Sequence, residues 1–161
     1  FHIGDKVINY IIDDCGVCPD CKHHHENICS NFTKGTAYFN ENGFSGFYGF
    51  SEYAVVKARH LYVYPKETPD DEAAFTEPLA CVINSINRSH INMGDDVVVI
   101  GGGVMGLLHV LCAKRQGARV ILSETDAKRR AFGLKLGADI VIDPLESDPV
   151  EQVKKPRGKC C

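Results

Sequence analysis

The sequence predicts a mixed fold: part of an antiparallel, barrel-like β unit carrying a cysteine-rich lobe, followed by the first half of a doubly wound α/β domain. Three observations predict it. Four cysteines crowd into residues 15–29. The apolar pattern changes period at residue 96, where strand and helix signals begin to alternate. A glycine-rich turn, Gly101 to Gly106, joins the first strand of that half to its helix.

The chain has 161 residues, enough for one ordinary domain or two small ones. Apolar residues make up 44% and charged residues 24%, a balance that supports a packed core. The net charge is -3 with both signs interspersed, which lacks the basic footprint that nucleic acid requires. No run of 18 apolar residues exists, so no membrane span is expected. The first residue is Phe1, and the last eight (154–161) are basic without an apolar period. Both ends read as cuts through a longer protein.

Lys6 to Ile12 reads as a strand. Asp13 to Thr33 is a compact polar lobe holding the cysteines, and Gly35, Gly43, Gly46 and Gly49 punctuate an aromatic loop. Ser51 to Lys57 and His60 to Tyr64 are β-rich, with Tyr53, Val55 and Lys57 on one face. Residues 1–66 thus form the partial β unit, with the lobe at 13–33. Residues 67–95 read as connecting helices. Thr68-Pro69-Asp70-Asp71 offers a Thr cap, a Pro at the first helical position and acids in the first turn. Pro78 denies a hydrogen bond to the carbonyl of Ala74 and is expected to push Glu77 out of helical geometry. Leu79, Val82, Ile83 and Ile86 then recur at helical spacing.

Residues 96–155 form the α/β half, and 156–161 a tail. Val97-Val98-Val99-Ile100 is a continuous apolar run, of the kind buried on both faces of a parallel sheet. Val104 to Gln116 is a helix ended by Gly117, and Ala118 to Ser123 a second strand. Asp126 to Leu136 is a second helix ended by Gly137, and Asp139 to Ile142 a third strand. Such β-α-β-α-β order is half of a doubly wound nucleotide fold.

The eight cysteines would suggest disulfides in a secreted chain. Cys15, Cys18, Cys21 and Cys29, however, give C-x2-C-x2-C-x7-C, and neighbours so close in a tight turn bind metal rather than pair. Four thiolates suit a tetrahedral zinc whose closed shell leaves no place for substrate, so the role is structural. An iron–sulfur cluster is the chemical rival; the x7 gap and the missing Pro after the last Cys argue against it. A redox C-x-x-C is weaker, because three overlapping cysteines would compete. His23, His24 and His25 read as an exposed polar turn. Cys81 and Cys112 read as small buried apolar residues in helices. A reducing, cytoplasmic setting follows as an expectation.

In Gly101-x-Gly103-x-x-Gly106, the first glycine permits the tight turn, the second lets backbone amides approach a pyrophosphate, and the third lets the helix pack closely. The helix N-terminus supplies partial positive charge for phosphates. Glu124 ends the second strand, where an acid can accept both ribose hydroxyls of NAD and would repel a 2′-phosphate. NAD is therefore expected over NADP, with Arg129 and Arg130 nearby pulling the other way.

The cysteine lobe, Gly49 to Tyr53, Glu77-Pro78-Leu79-Ala80 and Gly101 to Gly106 occur in an order that resembles the zinc-containing medium-chain alcohol dehydrogenases. The Glu-Pro-Leu-Ala segment is similar to the polyol, butanediol and threonine dehydrogenase branch. The likeness runs from Phe1 to about Val153. It implies a GroES-like barrel followed by a Rossmann-type domain. It implies a structural zinc on Cys15, Cys18, Cys21 and Cys29. It places Gly101, Gly103, Val104, Met105 and Gly106 at the pyrophosphate, Glu124 at the adenosine ribose and Arg129 near the adenine. Glu77 matches the carboxylate beside the catalytic zinc, facing an interdomain cleft.

The activity so implied is oxidation of a secondary alcohol, polyol or threonine-like hydroxyl. In this family a catalytic zinc stabilises the alkoxide and hydride passes to the nicotinamide. The expected partners are a small-molecule alcohol or polyol and, for the parent, further copies in a dimer or tetramer. Nucleic acid and membrane are not expected. The family's catalytic zinc ligands, a Cys and a Gly-His-Glu segment, have no counterpart in these 161 residues. The chain alone is therefore expected to be inactive. A zinc-stapled NAD-binding module without catalysis is the alternative. Three parallel strands without further partners are also expected to leave an apolar, aggregation-prone edge.

Overall fold

The computed structural model describes residues 2–10, 12, 14–31, 52–54, 56 and 58–155. It divides into two compact units, Phe1–Ala74 and Phe75–Cys161.

In the first unit, β1 (Val7–Asn9) pairs antiparallel with β2 (Leu61–Val63), Ile8 opposite Tyr62. The lobe between them holds helix α1 (Pro19–Lys22) and a 3-10 turn, Glu26–Ile28. A second 3-10 turn, Ala58–His60, leads into β2. His60, expected in a strand, lies instead in this turn and is buried. The expected strand at 51–57 is not seen: residues 52–54 and 56 are irregular, while Ser51, Val55 and Lys57 lie outside the described residues. The aromatic loop with Gly35, Gly43, Gly46 and Gly49 also lies outside them.

Helix α2 (Asp70–Ala73) starts one residue later than its sequence signal. Pro69 is the cap rather than the first helical residue, and no side chain caps the helix. The first turn relies on Asp70, Asp71 and Glu72 against the helix dipole.

The second unit opens with α3 (Thr76–Arg88). The chain does break ahead of Pro78, at Ala74 and Phe75, but Glu77 is helical. Pro78 falls in the first turn of α3, where a missing N–H costs no hydrogen bond. Val82 and Ile86 are buried, whereas Ile83 and Cys81 are exposed, so the apolar stripe of α3 is narrower than its sequence suggested.

Then follow β3 (Asp96–Ile100), α4 (Val104–Arg115), β4 (Arg119–Ser123), α5 (Ala127–Lys135), β5 (Ile140–Ile142) and α6 (Pro149–Lys154). The strands form a parallel sheet in the order β3-β4-β5, with Val98 opposite Ile121 and Ser123 opposite Ile142. Left-handed Gly117 and Gly137 follow the C-caps of α4 and α5, a conformation glycine adopts without strain. Helix α6 is capped by Asp148, whose carboxylate accepts from the Val150 amide; no sequence signal had marked it.

The core gathers Val82 and Ile86 of α3, Val99 of β3, Val110 and Ala113 of α4, Ala118 just ahead of β4, Val120 and Leu122 of β4, and Ala138. Val110, Val120 and Leu122 are fully buried, each contributing about 1.5–3 kcal/mol. The burial expected on both faces of β3 is not met. Val98 is 41% and Ile100 87% exposed, because β3 is an edge strand among the described residues. An open groove of about 700 Å³ runs beside it, lined in part by Ile86, Ile91 and Val97–Ile100. Among the described residues no helix is long and apolar enough to cross a membrane.

Candidate functional site

The lobe converges on sulfur. Ligand atoms of Cys15, Cys18, Cys21 and Cys29 all lie within 4.8 Å of one another. The Cys18 and Cys21 sulfurs are 3.4 Å apart, and Cys15–Cys21 and Cys18–Cys29 are each 3.9 Å. A tetrahedral shell with Zn–S near 2.3 Å places sulfurs about 3.8 Å apart, so the donor set fits zinc with shifts of a few tenths of an ångström to about 1 Å. The turn owes its shape to short-range bonds: the Cys18 sulfur accepts from the Cys21 amide at 3.5 Å, and Gly16 is left-handed at φ 73.

The sulfur atoms are not equivalent. Cys15 Sγ accepts from Asn31 Nδ2 at 3.4 Å and from the amides of Cys18 at 3.3 Å and Val17 at 3.5 Å. These donors, Asn31 foremost, hold the Cys15 thiol down at about 6. Burial pushes the Cys21 thiol up to about 12. Donors beside a ligand sulfur stabilise the charge it carries when metal-bound. Asn31 had not been singled out in the sequence; its place two residues after the last lobe cysteine was the available signal. His23, His24 and His25 are exposed and stand outside the sulfur cluster.

The second cluster surrounds the glycine turn. Gly101 is left-handed at φ 94, and its amide donates to Ser123 O at 2.8 Å. Gly103 caps α4 in an extended conformation, with open space where a Cβ would point. A Cβ on Gly106 would sit 1.8 Å from the Gly101 carbonyl oxygen, so the helix meets the turn backbone to backbone. Val104 and Met105 are exposed in the first turn of α4, where amides have no helical acceptor.

Glu124 is 7% exposed at the end of β4. Its Oε1 accepts from the Asp126 amide at 2.8 Å and the Thr125 hydroxyl at 3.2 Å, and its Oε2 accepts from the Gly102 amide. The amides of Asp126 and Gly102 hold the carboxyl at about 2. Gly102 was the unmarked position of the motif. A Cβ there would lie 3.0 Å from Glu124 Cγ and Oε2.

The two arginines part company. Arg130 Nη1 donates to Glu124 O at 2.8 Å and Thr125 O at 2.7 Å and pairs with Asp143 at 2.7 Å, so it is consumed by the fold. Arg129 is 60% exposed at the side chain, with Nη1 4.0 Å from Glu124 Oε2. Glu77 stands apart, exposed in the first turn of α3, with Oε1 3.7 Å from Cys81 Sγ. Cys81, expected to be buried, is exposed, whereas Cys112 is half-buried against the core, where burial raises its thiol pKa.

Residues 1–66 match the family model described as alcohol dehydrogenase GroES-like domain, and residues 104–159 match zinc-binding dehydrogenase. Together these matches span well over half of the chain. The chain belongs to the zinc-containing medium-chain alcohol dehydrogenase family. Its first unit is the GroES-like part of that fold, and its second is the start of the Rossmann-type domain. L-threonine 3-dehydrogenase of Thermococcus kodakarensis is 37% identical over 155 residues, covering 94% of this chain and 41% of the relative. Sorbitol dehydrogenase of Halalkalibacterium halodurans is 35% identical over 160 residues, covering 96% and 44%. A Sinorhizobium meliloti 1021 protein described as a zinc-binding dehydrogenase and solved with NADP superimposes at a TM-score of 0.77, with 33% identity, over 92% of this chain and 42% of that one. The chain thus spans less than half the length of these relatives.

Proposed function

We propose that this chain is the metal-lobe and coenzyme-binding portion of a zinc-dependent dehydrogenase that oxidises a secondary alcohol, polyol or threonine-like hydroxyl with NAD. The observation that carries the reading is the Glu124 carboxylate standing beside the Gly101–Gly106 turn at the head of α4. In this reading the open side of Gly103 and the first-turn amides of Val104 and Met105 receive a pyrophosphate. Cys15, Cys18, Cys21 and Cys29 would hold zinc, which supplies folding energy to the lobe rather than chemistry.

The preference for NAD rests on charge and on lone pairs. Glu124 is ionised across the physiological range, and a 2′-phosphate would meet that charge at close range. Three of its roughly four acceptor positions are already taken by Gly102, Thr125 and Asp126. One ribose hydroxyl can therefore bond without displacement, and a second would displace the Thr125 hydroxyl, the longest of the three. Arg130 is engaged elsewhere, which leaves Arg129 as the cation that could favour NADP; the Sinorhizobium meliloti relative was solved with NADP bound.

Glu77 is the proposed catalytic carboxylate of the parent, on the strength of the Glu77-Pro78-Leu79-Ala80 segment. The proposal includes that the 161-residue chain does not turn over, because its sequence has no Gly-His-Glu segment. Titration calorimetry of the chain with NAD and NADP tests the coenzyme reading. Binding of NAD with weaker NADP supports it; a flat trace with both removes it. A substrate-dependent rise in NADH absorbance would overturn the claim of inactivity. The second reading, a zinc-stapled NAD-binding module, draws on the four-sulfur cluster as the metal-capable group found among the described residues.

A further inference from the structure

We infer that Asp14, Arg59 and His60 form an outer clasp of the metal lobe, positioning Cys15 so that metal affinity depends on the β1–β2 pair. The inference rests on the proposed four-thiolate zinc site and extends it to residues that touch no metal.

Asp14 immediately precedes the first sulfur ligand and is buried. His60 Nε2 lies 2.9 Å from its Oδ1, and both side chains are about nine-tenths buried. Arg59 Nη2 donates to the Asp14 backbone oxygen and lies 3.5 Å from Oδ1. Arg59 Nε is also 3.1 Å from His60 Nε2. One ring nitrogen cannot both donate to the carboxylate and accept from the guanidinium, and the shorter, charge-assisted bond to Asp14 takes the proton.

His60 is itself held by the sheet. Its carbonyl accepts from the Tyr10 amide at 2.7 Å, its ring meets Tyr10 edge-on at 6.0 Å, and the next residue begins β2. Gly16 is required by its left-handed backbone (φ 73) and not by lack of space, because a Cβ there would make only ordinary contact, at 3.6 Å, with Arg59 Nη1 and Asp14 Oδ2. Among the described residues, the side-chain polar contacts that leave residues 14–31 all run from Asp14 to Arg59 and His60. The mechanical path is therefore strand ladder, His60, Asp14, Cys15.

Charge gives the clasp a second reason. Zn2+ with four thiolates carries a net negative charge, and a buried Asp14 carboxylate beside it adds another. A buried carboxylate without partners is strongly unfavourable, and Arg59 with His60 supplies the compensation. Partners bonded directly to a metal ligand typically change metal affinity roughly 10- to 100-fold when removed, and the clasp, which reaches Cys15 through one peptide bond, is expected at the lower end of that range.

The test is zinc affinity of the full chain, by competition with a colorimetric chelator, for wild type, His60→Phe, His60→Gln and Arg59→Met. Phe keeps the ring packed on Tyr10 and deletes the donor; Gln restores a donor. We expect zinc affinity to fall about tenfold or more in His60→Phe and Arg59→Met, with Gln recovering part of it. Melting of the metal-stripped proteins should differ little among the four. Affinities within twofold of wild type, with equal loss of melting temperature in loaded and stripped forms, would mean that the contacts only support the fold and would overturn the clasp. Should His60→Phe fail to fold, Arg59→Met and His60→Gln carry the same comparison. A wild-type chain that takes up no zinc would remove the four-thiolate reading and the clasp with it.

Discussion

The carboxylate of Glu124 accepts the backbone N–H of Gly102, tying the end of β4 to the turn that follows β3. The bond ties the turn to the sheet without help from a ligand. Its geometry also explains why Gly102 tolerates little: a Cβ there would press on Glu124 Cγ and Oε2 at 3.0 Å and on Arg129 Cβ at 3.3 Å. Glu124→Gln presents an NH2 group to one of the N–H donors of Asp126 and Gly102. We expect a loss of about 1–3 kcal/mol, the cost of leaving a buried donor unmet, read as a lower melting temperature, together with weaker NAD binding in calorimetry.

The same carboxyl sets an acid limit. Its pKa in the folded chain is about 2 against an ordinary 4.5. A depressed carboxyl contributes stability that is fully present above the unfolded value and lost as pH falls through the folded one. The contribution should therefore hold above pH 4.5 and disappear progressively toward pH 2. Denaturant unfolding from pH 7 downward is expected to show a steeper acid loss in wild type than in Glu124→Gln. Equal slopes through that window would show that Glu124 is not held as described.

Two glycines of one turn should respond oppositely to alanine. At Gly106 the new methyl would meet the Gly101 carbonyl oxygen at 1.8 Å, a backbone atom that cannot swing aside. We expect a cost of about 3 kcal/mol or more, at the upper end of overpacking, seen as poor soluble yield or a sharply lower melting point. At Gly103 nothing lies within 4 Å and φ is -72, so alanine fits the fold. Gly103→Ala should melt like wild type and bind NAD more weakly, because the methyl would occupy the side from which a pyrophosphate approaches in the proposed reading. Normal binding by a stable Gly103→Ala chain would move the phosphates elsewhere.

Local signals explain what was legible in the sequence. Glycines after the C-caps of α4 and α5, the apolar run of β4 and the spacing of Cys15 to Cys29 are decided by neighbours in the chain. The exposure of Val98 and Ile100 is not, because an apolar strand reads alike whether it is central or at an edge. Glu77 was misjudged for a related reason: the cost of Pro78 depends on whether it falls in a helix interior or a first turn, and α3 begins at Thr76, which puts Pro78 in the first turn. Contacts over long separations stayed hidden. Gly102 with Glu124 spans 22 residues and Asp14 with His60 spans 46, and neither pair has a local pattern.

If the four sulfurs hold a metal as proposed, its removal should loosen the lobe and leave the sheet of the second unit intact. The buried cluster of residues 14–31 consists of Cys18, Cys21 and Cys29, with Cys15 packed against it. No aliphatic or aromatic side chain joins it among the described residues, so apolar burial cannot hold the lobe without a metal. The second unit has its own core around Val110, Val120 and Leu122. Chelation, or Cys29→Ser, is expected to raise amide hydrogen exchange strongly across 14–31 and leave 119–142 protected. Retained protection of the lobe in zinc-free, disulfide-free protein would show that packing alone holds it and that the four sulfurs need no metal.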